Sequence, residues 1–128
     1  MSVNVPISDG ELLDKITILE LKMEYIQDES KLSNVGKEYF TLNSLLNTLH
    51  MSTEIQTLRN ELKDINRSLW DIEDRIRVKE KNKQFDEEFI ELARSVYITN
   101  DERARVKREI NVALESDLIE EKQYDDYK

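Results

Sequence analysis

Apolar residues recur along this chain with a helical period almost from end to end. Leu12, Ile16, Leu19, Met23 and Ile26 follow one another at steps of four, three, four and three, the seam of a coiled coil. A second row, Ile18, Leu21 and Tyr25, falls on roughly the opposite face, so the spacing predicts a helix over residues 9–29 that is buried on two sides. Its start is written in Ser8-Asp9-Gly10-Glu11, a capping box in which the Ser8 hydroxyl takes an orphan amide. After the polar stretch Asp28 to Ser30, a second seam of Leu32, Val35, Tyr39, Leu42, Leu46 and Leu49 predicts a helix over 31–49. Gly36 lies inside it and weakens it by ~1 kcal/mol relative to Ala.

The strongest seam is the third, where Ile55, Leu58, Leu62, Ile65, Leu69, Ile72 and Ile76 fill consecutive core positions and predict a helix over 53–82. The step from Leu49 to Ile55 fits no heptad spacing, so a turn is expected near His50 to Thr53. The helices over 31–49 and 53–82 would then form an antiparallel hairpin. At 1.5 Å per residue the third helix is ~45 Å long against ~30 Å for either predecessor, so part of it needs another partner. Phe85, an Asp86 cap and Ile90 read as a hydrophobic staple opening a helix over 87–98. Thr99-x-x-Glu102 reads as a second capping box opening a helix over 100–115, with Val106 and Ile110 inward. An acidic tail, 116–128, is expected to be partly ordered. The expected fold is all-α, one helical domain over 1–128: a long antiparallel, coiled-coil-like hairpin bundle with two shorter C-terminal helices, more than three quarters helical and without a sheet.

Composition narrows the partners. Nineteen basic against twenty-eight acidic side chains give a net charge of −9, which repels nucleic acid and anionic membrane surfaces. There is no cysteine, hence no disulfide, thiol nucleophile or zinc-thiolate site. No apolar run approaches the ~20 residues of a membrane span, and the first residues lack a signal-peptide layout. The expectation is a cytoplasmic protein with no membrane partner.

Paired carboxylates three residues apart are the motif that all-helical pyrophosphohydrolases use to hold magnesium. Glu11/Asp14, Glu61/Asp64, Asp71/Asp74, Glu88/Glu91 and Asp117/Glu120 all have that spacing, yet so acidic a chain produces as many by chance. They are read as solvated helix faces. His50, the single histidine, has no carboxylate or hydroxyl tied to it by sequence. No catalytic residue, metal ligand or cofactor is assigned.

More informative is Trp70, which lies off the third seam and needs a cover, expected from the helices after residue 86. Arg94, Arg103, Arg105, Lys107 and Arg108 concentrate positive charge near the start of the last helix. The candidate site gathers the residues a core does not explain: Trp70, Glu73, Asp74 and Arg77, then Arg94 and Tyr97, then Asn100, Asp101, Arg103 and Lys107. Together they would offer cations and free amides to an anion beside an aromatic face, but the favoured reading is a protein–protein interaction or assembly module with a protein partner or a homodimer, because the third seam exceeds what the first two helices can cover. The alternative is a small enzyme or binding protein for an anionic ligand such as a nucleotide or nucleotide sugar. Against both stands a plainer reading, an ion-pair lattice that locks the last helices onto the third.

Leu69-Trp70-Asp71-Ile72-Glu73-Asp74, Phe89-Ile90-x-Leu92-Ala93-Arg94-Ser95-Val96-Tyr97, Asn100-Asp101-x-Arg103-Ala104, Lys107-Arg108-x-Ile110-Asn111 and Glu120-Glu121-Lys122-x-Tyr124 form a pattern over most of the chain. Together with Ile7-Ser8-x-Gly10-Glu11-Leu12 it resembles a functionally uncharacterised family of small all-helical bacterial and phage proteins. The resemblance implies a compact helical domain, sometimes joined to repeat or glycosyltransferase-like modules, with no reaction assigned. Where it leads one to expect Gly-Ser before the last motif, this chain has Glu115-Ser116.

Overall fold

The computed structural model describes residues 1–128. It contains α1 (Asp9–Tyr25), α2 (Glu29–Asn43), a 3₁₀ turn (Ser44–Thr48), α3 (Thr53–Lys81) and α4 (Glu87–Ala113), and no strand. Helix accounts for 73% of the residues, just under the expected share, because the chain after Leu114 runs as an irregular tail.

Each α-helix begins where the sequence supplies an acceptor for an orphan amide. Ser8 Oγ accepts from the Glu11 amide at 3.1 Å, Asp28 Oδ1 from Lys31 at 2.9 Å, Ser52 Oγ from Ile55 at 3.2 Å and Asp86 Oδ1 from Phe89 at 3.0 Å. Because Asp28 is taken as the cap of α2, the first helix stops at Tyr25, four residues short of the expected end. The staple expected at α4 is altered: Phe85 meets Phe89 edge-on at 5.2 Å, and Ile90 stays exposed.

The ends of α3 and α4 share one device. Lys83 and Glu115 take left-handed backbone angles, φ 53° and 54°. The Gln84 amide reaches back to the Lys79 carbonyl at 2.9 Å and Ser116 to Asn111 at 2.8 Å, while Lys83 bonds Glu80 and Glu115 bonds Val112. This is the Schellman arrangement, whose left-handed residue is ordinarily glycine. Glu115 thus stands at the position where the family resemblance leads one to expect Gly.

Two expectations are corrected by the packing. The long antiparallel hairpin is α3 with α4; α2 packs on α1 and makes no helix contact with α3. A short connection favours sequence neighbours, but the α2 seam buries only Val35, whereas α4 offers α3 a seam of matching length. Nor are there two short C-terminal helices. α4 runs unbroken through Thr99, because Leu92, Val96, Thr99, Arg103, Val106 and Ile110 keep one inward stripe and no Gly or Pro interrupts it. The capping-box pattern at Thr99 is overridden by that packing.

α1 lies against both α3 and α4, with α2 on its far side, so it is buried on both faces as its two rows require. The main core joins Leu13 to Ile55, Leu58, Leu62, Ile65, Val106 and Ile110 at the base of the α3–α4 hairpin. Leu46, Met51 and Leu114 close it from below.

Candidate functional site

α1, α3 and α4 meet at a buried polar junction. The Asp14 side chain is fully buried and its two oxygens are taken up by donors from two other helices. Asn66 Nδ2 donates to Oδ1 at 2.9 Å, Arg103 Nε donates to the same oxygen at 2.9 Å, and a second Arg103 nitrogen donates to Oδ2. Lys107 Nζ stands 3.7 Å from Oδ2 and also pairs with Glu11 and, at 3.4 Å, with Glu120. Asn66 further donates to Thr17 Oγ1 at 3.0 Å, and that hydroxyl donates to the Asp14 carbonyl at 2.8 Å. No buried side-chain nitrogen or oxygen in the chain lacks a partner. Asp14 holds the Arg103 guanidinium above its ordinary range. Burial pushes the Lys107 ammonium down, but its hydrogen bond to Glu11 and the charges of Asp14 and Glu120 outweigh it and raise the group.

Asp14 and Glu11 of α1 therefore neutralise Arg103 and Lys107 of α4, and Glu120 of the tail adds a third carboxylate at the edge of the junction. Asp14 was legible in principle: Asp14, Ile18, Leu21 and Tyr25 follow at steps of four, three and four, so an acid occupies the second apolar row of α1. An acid in a buried row demands a cation on the facing helix.

Above the junction lies a cleft of about 350 Å³ with Trp70, Glu73, Asp74, Asn100 and Arg103 on its walls. Half of the ten candidate residues thus share one cavity. The floor is Ile18, Leu21, Asn66 and Leu69. Arg77 is instead paired with Glu73 on its own helix, and Arg94 with Glu91 at 3.3 Å. Tyr97, Asn100 and Asp101 line a second, larger groove, and Lys107 belongs to the junction.

The cover on Trp70 comes from an unexpected side. Tyr25, the last residue of α1, lies against it with ring centroids 5.2 Å apart, so α1 supplies the aromatic cover of the indole. Arg67 locks that tyrosine, donating to its hydroxyl at 2.8 Å and to Glu24 at 2.7 Å. The acidic pairs face cations of the chain itself: Glu61 meets Arg105 at 2.7 Å, Glu88 meets Arg75 at 3.2 Å and Lys79 at 3.3 Å. The cations gathered near residues 103–108 are likewise engaged, Arg105 by Glu61 and Glu109, Arg108 by Glu121.

No helix is long and apolar enough to cross a membrane. Residues 3–127 match the model of a family described as a family of unknown function, DUF6165. No curated protein and no solved structure matches the chain.

Proposed function

We propose, for a chain that belongs to this family of unknown function, the role of a protein–protein interaction or assembly module whose docking element is the distal half of the α3–α4 hairpin. One observation carries the reading: from Asp71 to Glu91 no residue is buried. The contact of α1 with α3 ends at the Tyr25–Trp70 pair, so beyond it two helices stand alone. Their seam of Ile72, Ile76 and Phe89 is only half-covered, and Val78, Phe85 and Ile90 are 57%, 57% and 46% exposed. A helix pair hides one stripe and leaves its flanks open; a second pair laid against it makes a four-helix bundle. A second copy of the chain supplies such a pair. The motifs of the chain, which resemble those of bacterial and phage proteins, support a bacterial or phage setting.

The alternative, an anionic ligand at the Trp70 cleft, has less support, since Arg103 and Lys107 are already held by Asp14, Glu11 and Glu120. Sedimentation velocity over a range of concentrations tests the favoured reading. The expected result is a size that rises with concentration and falls back to the monomer when Phe85 and Ile90 are both changed to Asp. A monomer at every concentration up to about 1 mM, roughly 4 kcal/mol of association free energy, would overturn self-association through this tip.

A further inference from the structure

The acidic tail after α4 is irregular, yet it returns along one face of that helix. Glu120 stands 3.4 Å from Lys107 Nζ, and Arg108 donates to Glu121 at 2.8 Å. Tyr127 meets Tyr97 edge-on at 5.2 Å, and its hydroxyl donates to Asp101 Oδ2. Between helix and tail lies a cavity of about 790 Å³, walled by Tyr97 and Asn100 on one side and Tyr124 on the other. The spacing is matched: α4 rises ~16 Å from Tyr97 to Arg108 at 1.5 Å per residue, and the six residues from Glu121 to Tyr127 reach at most ~20 Å when extended. The grip itself is light, because Arg108 and Glu121 are 53% and 72% exposed and pairs so placed add little. What keeps the tail in place is its tether, which holds it at an effective concentration on the order of millimolar.

We propose that the α4 face formed by Tyr97, Asp101, Lys107 and Arg108 is a docking surface for an extended, acidic, tyrosine-bearing segment of a partner protein, with the chain's own residues 120–127 seated there as a built-in competitor. Charge selects the segment: a carboxylate for Arg108, a second for Lys107, and a tyrosine six residues on whose hydroxyl donates to Asp101. The tether sets a threshold, so only a segment that binds more tightly than the tail displaces it. This face lies apart from the hairpin tip, and the inference stands independently of self-association there.

The test uses the full chain carrying Glu121→Ala and Tyr127→Ala, which loosens the tail, with circular dichroism to show that the helices persist. The probe is a fluorescein-labelled peptide with the sequence of residues 116–128, followed by anisotropy. Saturable binding is expected, at least about tenfold tighter than to the unmodified chain, whose own tail competes. Adding Tyr97→Ala and Arg108→Ala to the loosened chain is expected to weaken it about tenfold or more. The proposal is overturned by absence of saturable binding to the loosened chain up to about 1 mM. Equal binding of a scrambled peptide of the same composition overturns it too, as does equal affinity for the loosened and unmodified chains.

Discussion

The Gly10 amide donates to the Asn111 side-chain oxygen at 2.6 Å, and a Cβ placed on Gly10 would lie 2.4 Å from the Lys107 carbonyl oxygen. The first turn of α1 rests directly on the backbone of α4, and the Asp9 amide reaches Ser116 Oγ at 3.1 Å beside it. Only a residue without a side chain allows that approach. Gly10→Ala must push α1 off α4 and disturb the Lys107–Glu11 pair, so a loss of about 2 kcal/mol or more is expected in urea unfolding. An unchanged midpoint would refute the contact.

Gly36 is the opposite case. A Cβ there meets nothing within 4 Å, and the residue lies in the interior of α2. Gly36→Ala is expected to stabilise the chain by about 0.5–1 kcal/mol through helix propensity alone. Melting curves of the two glycine variants should move in opposite directions.

Lys83 and Glu115 carry the reverse mismatch, side chains on left-handed backbone. Glu115→Gly and Lys83→Gly relieve the clash of Cβ with the carbonyl oxygen, of order 1 kcal/mol, and give part of it back as unfolded-state entropy. Each is expected to raise the midpoint, and the pair to add, because the two ends belong to different helices. A fall in stability would show that the left-handed caps do not form.

How far these relationships are legible in sequence differs by kind. Heptad rows and caps are local, and Ser8, Asp28, Ser52 and Asp86 all start helices where an acceptor precedes an apolar row. Which helix pairs with which is not local: α3 took α4 instead of α2, and nothing in the Leu49-to-Ile55 step decides that. The continuity of α4 was hidden by Thr99 and Arg103, polar residues in inward positions. One of them, Arg103, is inward because Asp14 is buried eighty-nine residues earlier, and only the fold brings the two together. Of the polar and aromatic residues that the core pattern leaves over, Trp70, Glu73, Asp74, Asn100 and Arg103 share the cleft while Arg77, Arg94, Tyr97, Asp101 and Lys107 do not, because only the packing of the helices decides which of them meet. Tyr25, which covers Trp70, looked like an ordinary member of a helix row.

Asp14 gives the sharpest stability contrast. Asp14→Ala leaves Asn66, Arg103 and Lys107 facing a void with unpaired donors, a loss of about 3–5 kcal/mol. Arg103→Ala with Lys107→Ala strips the buried carboxylate of both cations and is expected to be comparably damaging. The triple variant should cost less than the sum of the two, since removing both sides leaves no uncompensated charge. Strict additivity in a denaturation cycle would mean that the junction is not a unit.

Acid should loosen the distal hairpin, as it does the α1–α3 contact at Glu24, which Arg67 and Lys63 hold below its ordinary range. Lys79 donates to Asp86 at 2.9 Å and stands 3.3 Å from Glu88, joining the end of α3 to the start of α4. The Lys79 ammonium holds the Asp86 carboxyl below its ordinary range, helped by the Phe89 amide, and with Arg75 it does the same to Glu88. Both folded values lie below the unfolded ones, so these groups contribute stability above the ordinary carboxylate range and lose it as pH falls through the folded values. Lys79 itself is raised, chiefly by Asp86. Its share is fully present below the ordinary lysine value and is lost only as pH rises through the raised one, so the titration of Lys79 itself adds no slope at acid pH. Asp9 runs the other way: burial, then the Asp117 charge, raises it, so protonation on acidification favours the folded state at that one group. With the lowered carboxylates in the majority, the melting temperature should drop from about pH 5 to about pH 3. In Lys79→Met the drop should be shallower, because Asp86 and Glu88 lose the partner that depressed them. Amide exchange followed by residue would show the Lys79-dependent part of the loss between Ile76 and Leu92, and equal slopes for the two chains would remove Lys79 as its source.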